Sequence, residues 1–336
     1  MTFEATPLRG VELDIFMNRL EDEMGERMTS GGKELDVQAR LRAQPLQADT
    51  LEAIGRLHTL WIWAGDAEAA MMEIDRDGAA LLATLPEDER ADARMTLALF
   101  RLRVSEHFAD VTAMHAGIAE ARALVTEPGL HVAWHLRNPV LSRLMGSHLE
   151  IALAASDLCR ELEALLPRQE DHAVWDAARF LIRNARIHAD NQEIDAAREV
   201  GAQAIAALQA ARGNPNIKAE HWLQAGDALI EFAPEQLAAI QAAVISLSKS
   251  WSLPQRRQAE VRLARLAARA RYALCDLEGA LAACEAARYS LAASGGYADD
   301  FIDYELSWLV EAERWEMAGQ RAFFHIYCLG ATTEGM

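Results

Sequence analysis

The chain has 336 residues, enough for two ordinary domains or one elongated array, with 33 Lys and Arg against 51 Asp and Glu and a formal charge of -18. That balance excludes a general nucleic-acid binder, because phosphate contacts need a concentration of positive charge that the chain as a whole lacks. Hydrophobic residues make up 51%, yet about 65 residues are Ala, and with 9 Pro and 19 Gly the composition predicts an all-α protein whose helices approach closely.

Four cysteines, Cys159, Cys275, Cys284 and Cys328, form no C-x-x-C pair. They predict reduced, buried thiols and neither a zinc ribbon nor a disulfide scaffold. The first residues carry acids throughout and lack the basic start and apolar run of a secretory signal. The longest apolar candidate, Leu237–Leu247, is short and interrupted by Gln241. A cytoplasmic protein that does not enter the membrane is the expectation.

In chain order, the first predicted helix covers about 11–24, with Ile15, Phe16, Leu20 and Met24 at helical spacing. Gly25 should end it, and Thr29-Ser30-Gly31-Gly32 reads as a flexible tether. Gly32-Lys33 is not a phosphate loop, since the pattern needs Gly and a hydroxyl where the chain has Arg27 and Glu34. Residues 1–36 are therefore expected to form a helix and Gly-rich tether that caps or docks on a repeat domain spanning 37–336.

From about residue 48 the chain becomes a series of helical segments closed by short polar punctuation. A junction of the form small-acid-x-x-x-Ala opens second helices at Gly65-Asp66 to Ala70 and at Cys275-Asp276 to Ala280. Weaker versions place second-helix starts near 110, 157, 193, 235 and 316, a mean step of about 42 residues and seven hairpins. The acid satisfies orphan amides of the first turn and complements the dipole, while the Ala lets the hairpin helices pack closely. Ala280, Cys284 and Ala287 follow that rule, as do Ala197, Gly201 and Ala204.

On these junctions residues 48–330 resemble the tetratricopeptide (TPR) helical-repeat family. The resemblance implies a right-handed α-solenoid of about seven antiparallel helix hairpins, with the first helices lining a concave, peptide-binding face. Two features depart from the family: the period exceeds its usual length of about 34 residues, and the aromatic consensus positions of the first helices are mostly unmet.

Little in the chain suggests chemistry. His131 and His135 sit one turn apart, but Val132 stands where a zincin would carry Glu. No nucleophile elbow or dinucleotide fingerprint occurs, and the acid clusters Glu87-Asp88-Glu89, Glu170-Asp171 and Asp299-Asp300 fall where helices begin. No catalytic residue, metal or cofactor is expected, and an enzyme would require a site assembled between helices.

The main anomaly is charge. Residues 255–274 hold six Arg and one acid, Glu260, and Arg262, Arg265 and Arg269 lie within about 60° on one helical face with no acid at i±3 or i±4. Either another helix supplies the compensation through ion pairs, or a ligand does. Arg179, Arg183 and Arg186, with Asn184 beside them, form a second set flanked by Asp176 and Asp190. The resemblance turns both sets toward the groove, where Arg forks take carboxylates or phosphates and Asn184 clamps an extended peptide. Tryptophans such as Trp222 serve as packing, or as binding anchors where they remain exposed. The functional expectation is a protein–protein interaction module or adaptor that binds a peptide segment, acidic by preference, of another protein. Two other classes stay open, a peptide-responsive regulatory sensor of a bacterial signalling system and an enzyme.

Overall fold

The computed structural model describes residues 6–30, 36–166, 173–211, 214–293 and 299–324. Seventeen α-helices and two 3-10 turns occur among the described residues, without a strand. No helix among them is long and apolar enough to cross a membrane. The chain divides into two compact units, Met1–Pro167 and Arg168–Met336.

The first unit holds α1 (Gly10–Ser30), α2 (Val37–Arg42), α3 (Leu51–Trp63), α4 (Ala67–Thr84), α5 (Glu87–His107), α6 (Val111–Leu124), the short α7 (Val132–His135) and α8 (Pro139–Leu144), and α9 (Leu149–Ala164). The second holds α10 (Ala173–Asp190), α11 (Ile194–Ala210), α12 (Pro215–Leu229), α13 (Leu237–Leu247), α14 (Leu253–Ala273), α15 (Leu277–Ala293), α16 (Asp299–Glu311) and α17 (Trp315–Phe324). Within each unit, neighbouring helices pack as pairs: α3 with α4, α5 with α6, α10 with α11, α14 with α15, α16 with α17.

Five of the pairs are joined by the same turn, and its chemistry is local. Gly65, Ala109, Gln192, Cys275 and Glu313 have φ between 54° and 73°. The next amide, of Asp66, Asp110, Glu193, Asp276 or Arg314, reaches back five residues to the carbonyl of Trp61, Ser105, His188, Arg271 or Leu309 at 2.8–3.0 Å. This is a Schellman closure whose last residue also begins the next helix. The Asp66, Asp110 and Asp276 carboxylates then accept from the amides of Ala69, Ala113 and Gly279 at 2.9–3.0 Å. Four residues after Asp66, Glu193 and Asp276, the side chains of Ala70, Ala197 and Ala280 are fully buried, at the small-residue position the junction predicts.

Four of the five left-handed positions carry a Cβ, which opposes that conformation by about 1–2 kcal/mol relative to the right-handed one. Glycine relieves this but adds freedom to the unfolded chain. Ala109→Gly, Gln192→Gly, Cys275→Gly and Glu313→Gly are each expected to stabilise by about 0.5–1 kcal/mol, and Gly65→Ala to destabilise by a similar amount. Urea midpoints measure this, and lower midpoints for the four glycine variants would contradict it.

Several expectations need correction. The start expected at 157 falls inside α9, where Ala155 and Ser156 are buried and Asp157 pairs with Arg160 at 3.4 Å. An acid one turn before an Arg looks the same in sequence whether it caps a helix or decorates its middle. The helix preceding α9 is broken instead into α7 and α8, with Asn138 capping α8 and Pro139 at its first turn.

Helix α1 runs through Gly25 to Ser30, since one glycine weakens a helix by about 1 kcal/mol without ending it. Its buried stripe is Leu13, Met17 and Leu20, while Ile15 is 57% exposed. That stripe docks α1 onto its own unit. Arg56 of α3 reaches Asn18 and Glu21 of α1 at 2.7 Å, and Leu8 pairs with the segment around Leu46 in an isolated parallel bridge. Residues 31–35, Glu170-Asp171, and 325–336 with Cys328 lie outside the described residues.

Candidate functional site

In the second unit the basic face of α14 meets an acidic face of α12. Arg262 donates to Glu220 at 2.6 Å and to Asp227 at 2.7 Å. One turn-pair further along, Arg269 reaches Glu231 at 2.8 Å and Asp227 at 3.7 Å, and also donates to the Asp227 carbonyl at 3.0 Å. Arg186, near the end of α10, joins the same ladder through Glu231 at 3.3 Å and through its own Asp190 at 3.0 Å. Contacts advance in step along both chains, so α12 and α14 run parallel. Burial alone would lower the Arg262 guanidinium, but its hydrogen bonds to Asp227 and Glu220 outweigh this and hold it above its ordinary value.

Of the two origins of compensation left open by the sequence, inter-helix ion pairing is what Arg262 and Arg269 display. Arg265 is half-buried between them. On α10, Arg179 is exposed and Arg183 and Asn184 are half-buried. Trp222 is not presented to solvent as an anchor: it is 3% exposed and packs in the core with Leu223, Leu263 and Leu266. The neighbouring His221 ring stacks on Trp175 of α10 at 3.5 Å between centroids, tying α10 to α12.

At the upstream end of the ladder a cavity of about 240 Å³ opens between α12, α14 and the turn before α14. Leu223 and Trp251 supply its apolar walls, and Asn216, Glu220, Gln255, Gln258 and Arg262 its polar ones. Local chemistry sets these groups in place. The Gln255 carboxamide oxygen accepts from the Ser252 amide at 3.1 Å and hydroxyl at 2.8 Å, a capping box that starts α14. Trp251 precedes it on a 3-10 turn closed by its own amide to Ser248 at 3.0 Å. The Trp251 indole Nε1 is buried without a hydrogen-bond partner among the described residues, so it is the face of the ring that walls the cavity. Sequence reasoning missed Glu220, Trp251, Gln255 and Gln258. The capping box was the one readable signal, and it indicates a helix start, not a site.

The His131–His135 pair is explained by a carboxylate. Asp92 of α5 accepts from the His131 amide at 2.8 Å and lies 2.6 Å from His135 Nε2 and 3.2 Å from His131 Nδ1. Burial pushes the Asp92 carboxyl up, and these hydrogen bonds outweigh it and hold the group below its ordinary range. No group of three His, Cys, Asp or Glu side chains among the described residues is placed to hold a metal ion. Cys159 and Cys284 are buried, as expected, but Cys275 is exposed, because its left-handed turn position points the side chain outward. No family model, curated protein or solved structure matches this chain.

Proposed function

We propose that this protein is an interaction module built from TPR-like hairpins, in which the second unit binds an extended segment of another protein across α12 and α14. The observation that carries the reading is the open cavity that Trp251 lines together with the Gln255 and Gln258 side chains. A carboxamide donates and accepts together, as a peptide unit does, so such groups recognise main chain without regard to sequence. A right-handed solenoid is the arrangement we infer for these hairpins, and the parallel course of α12 and α14, with α10 packed beside α12, supports it. Because Arg262 and Arg269 already meet the carboxylates of α12, the ligand's main chain contributes more to recognition here than any acidic side chains.

Peptide display on the purified chain, followed by calorimetric titration of the selected peptide, tests this. Trp251→Phe trims the aromatic wall of the cavity and keeps a ring, and Gln258→Ala removes an exposed carboxamide. Each is expected to weaken binding by about ten-fold, the effect of lost apolar contact in the first and of one lost hydrogen bond in the second, with little change in thermal midpoint. Failure to select any peptide, or an affinity unchanged from the parent in both variants, would discard the reading.

A further inference from the structure

Arg101 and Arg103 lie two residues apart on α5 and meet opposite fates. Arg101 is paired with Asp75 and Glu120, both at 2.9 Å. Arg103 is half-buried, yet it makes no ion pair or hydrogen bond among the described residues. The acid one turn away, Glu106, is engaged by Arg143 of α8 at 3.0 Å. Glu106 thus pairs with Arg143 and not with Arg103, leaving a local excess of positive charge in a chain of net charge -18.

Desolvating a cation without a counter-ion is unfavourable, and native structures usually supply a partner. Burial, and then the like charge of Arg143, hold the Arg103 guanidinium below its ordinary value. Its field also reaches α3, where it adds to the burial that depresses His58. A guanidinium offers paired N–H donors in a fork that fits two oxygens of one anion.

We propose that Arg103, with Arg143 beside it, is a binding site for a phosphate or carboxylate oxyanion. The site belongs to the first unit and is independent of the peptide site proposed on α12 and α14.

The test uses the whole chain with inorganic phosphate and with acetate, each at constant ionic strength against chloride. Phosphate or acetate is expected to raise the thermal midpoint saturably. Arg103→Gln should weaken that response at least about ten-fold, whereas Arg101→Gln should leave it in place. A phosphate response well above that of acetate assigns the site to a phosphate-bearing ligand, and equal responses assign it to a carboxylate. Because a bound anion cancels the charge of Arg103, the His58 titration followed by NMR should also move upward in the unsubstituted protein as phosphate saturates. A response no larger than chloride's, a response that survives Arg103→Gln, or a His58 titration unmoved by saturating anion would each overturn the proposal.

Discussion

Arg288→Ala is expected to destabilise the second unit by about 3 kcal/mol, far more than removal of a surface arginine. Its partner, Glu305 of α16, has a side chain 1% exposed, and Arg288 of α15 meets it at 2.9 Å while itself 14% exposed. Burial pushes the Glu305 carboxyl above its ordinary range, opposed by Arg288 and then by Arg321 of α17, which is 3.9 Å away. Losing Arg288 leaves a buried carboxylate with only that distant, partly exposed cation.

Replacing both partners with apolar groups removes the desolvation cost together with the attraction. Arg288→Met combined with Glu305→Leu should therefore recover most of the loss. Urea denaturation of the two single variants and the double one measures the coupling. An Arg288→Ala variant within about 0.5 kcal/mol of the parent, the range of ordinary surface substitutions, would show that the pair does not hold α15 and α16 together. Cys284 sits in the same cluster. Burial first, and then the Glu305 charge, push its thiol up to about 12, so it should resist alkylation until the unit unfolds.

The pH dependence of the first unit should be hidden in the parent protein and exposed by substitution. His58 is fully buried against Phe100 and hydrogen-bonded to the Ile54 carbonyl at 3.0 Å. Burial lowers its pKa from 6.5 to about 4. Below pH 6.5 the unfolded ring takes up a proton that the folded ring refuses until about pH 4, so this group lowers stability as pH falls. Glu73 of α4 acts in the opposite sense. Burial raises its pKa from 4.5 to about 7, against the pull of Arg76. The folded carboxyl keeps its proton where the unfolded one has lost it, so this group lowers stability as pH rises from 4.5 to about 7.

Each slope is about 1.4 kcal/mol per pH unit, and the two nearly cancel where the windows overlap. Glu73→Gln should then lose about 3 kcal/mol of stability between pH 6.5 and 4, and His58→Met about 3 kcal/mol between pH 4.5 and 7. Denaturation at fixed pH values across that range decides the matter. Profiles parallel to the parent's in both variants would remove these two groups as the source.

The hairpin turns show how far the sequence could be read. Asp66, Asp110 and Asp276 cap their helices at the expected places, and Ala70, Ala197 and Ala280 are buried at the expected offset. Caps and close-packing positions act within one turn of the chain, so spacing alone exposes them. Asp157 marks the limit, because its role depends on whether the chain before it has already entered a helix. Pro139 and the breaks around it decide that.

Charge was less legible. The absence of nearby acids made Arg262 and Arg269 look uncompensated, but their partners Glu220, Asp227 and Glu231 lie 35–42 residues earlier, on α12 and the turn that follows it. Arg103 misleads the other way: Glu106 stands three residues on as a ready partner, and Arg143, 37 residues beyond Glu106, takes it. The sequence by itself therefore determined the all-α class, five of the turns and the small residues that line the hairpins. Only the tertiary structure decided which charges are matched and where a cavity opens. Local geometry repeats with the helical turn, whereas pairing between successive hairpins depends on a register set by every residue of the intervening loop and helix.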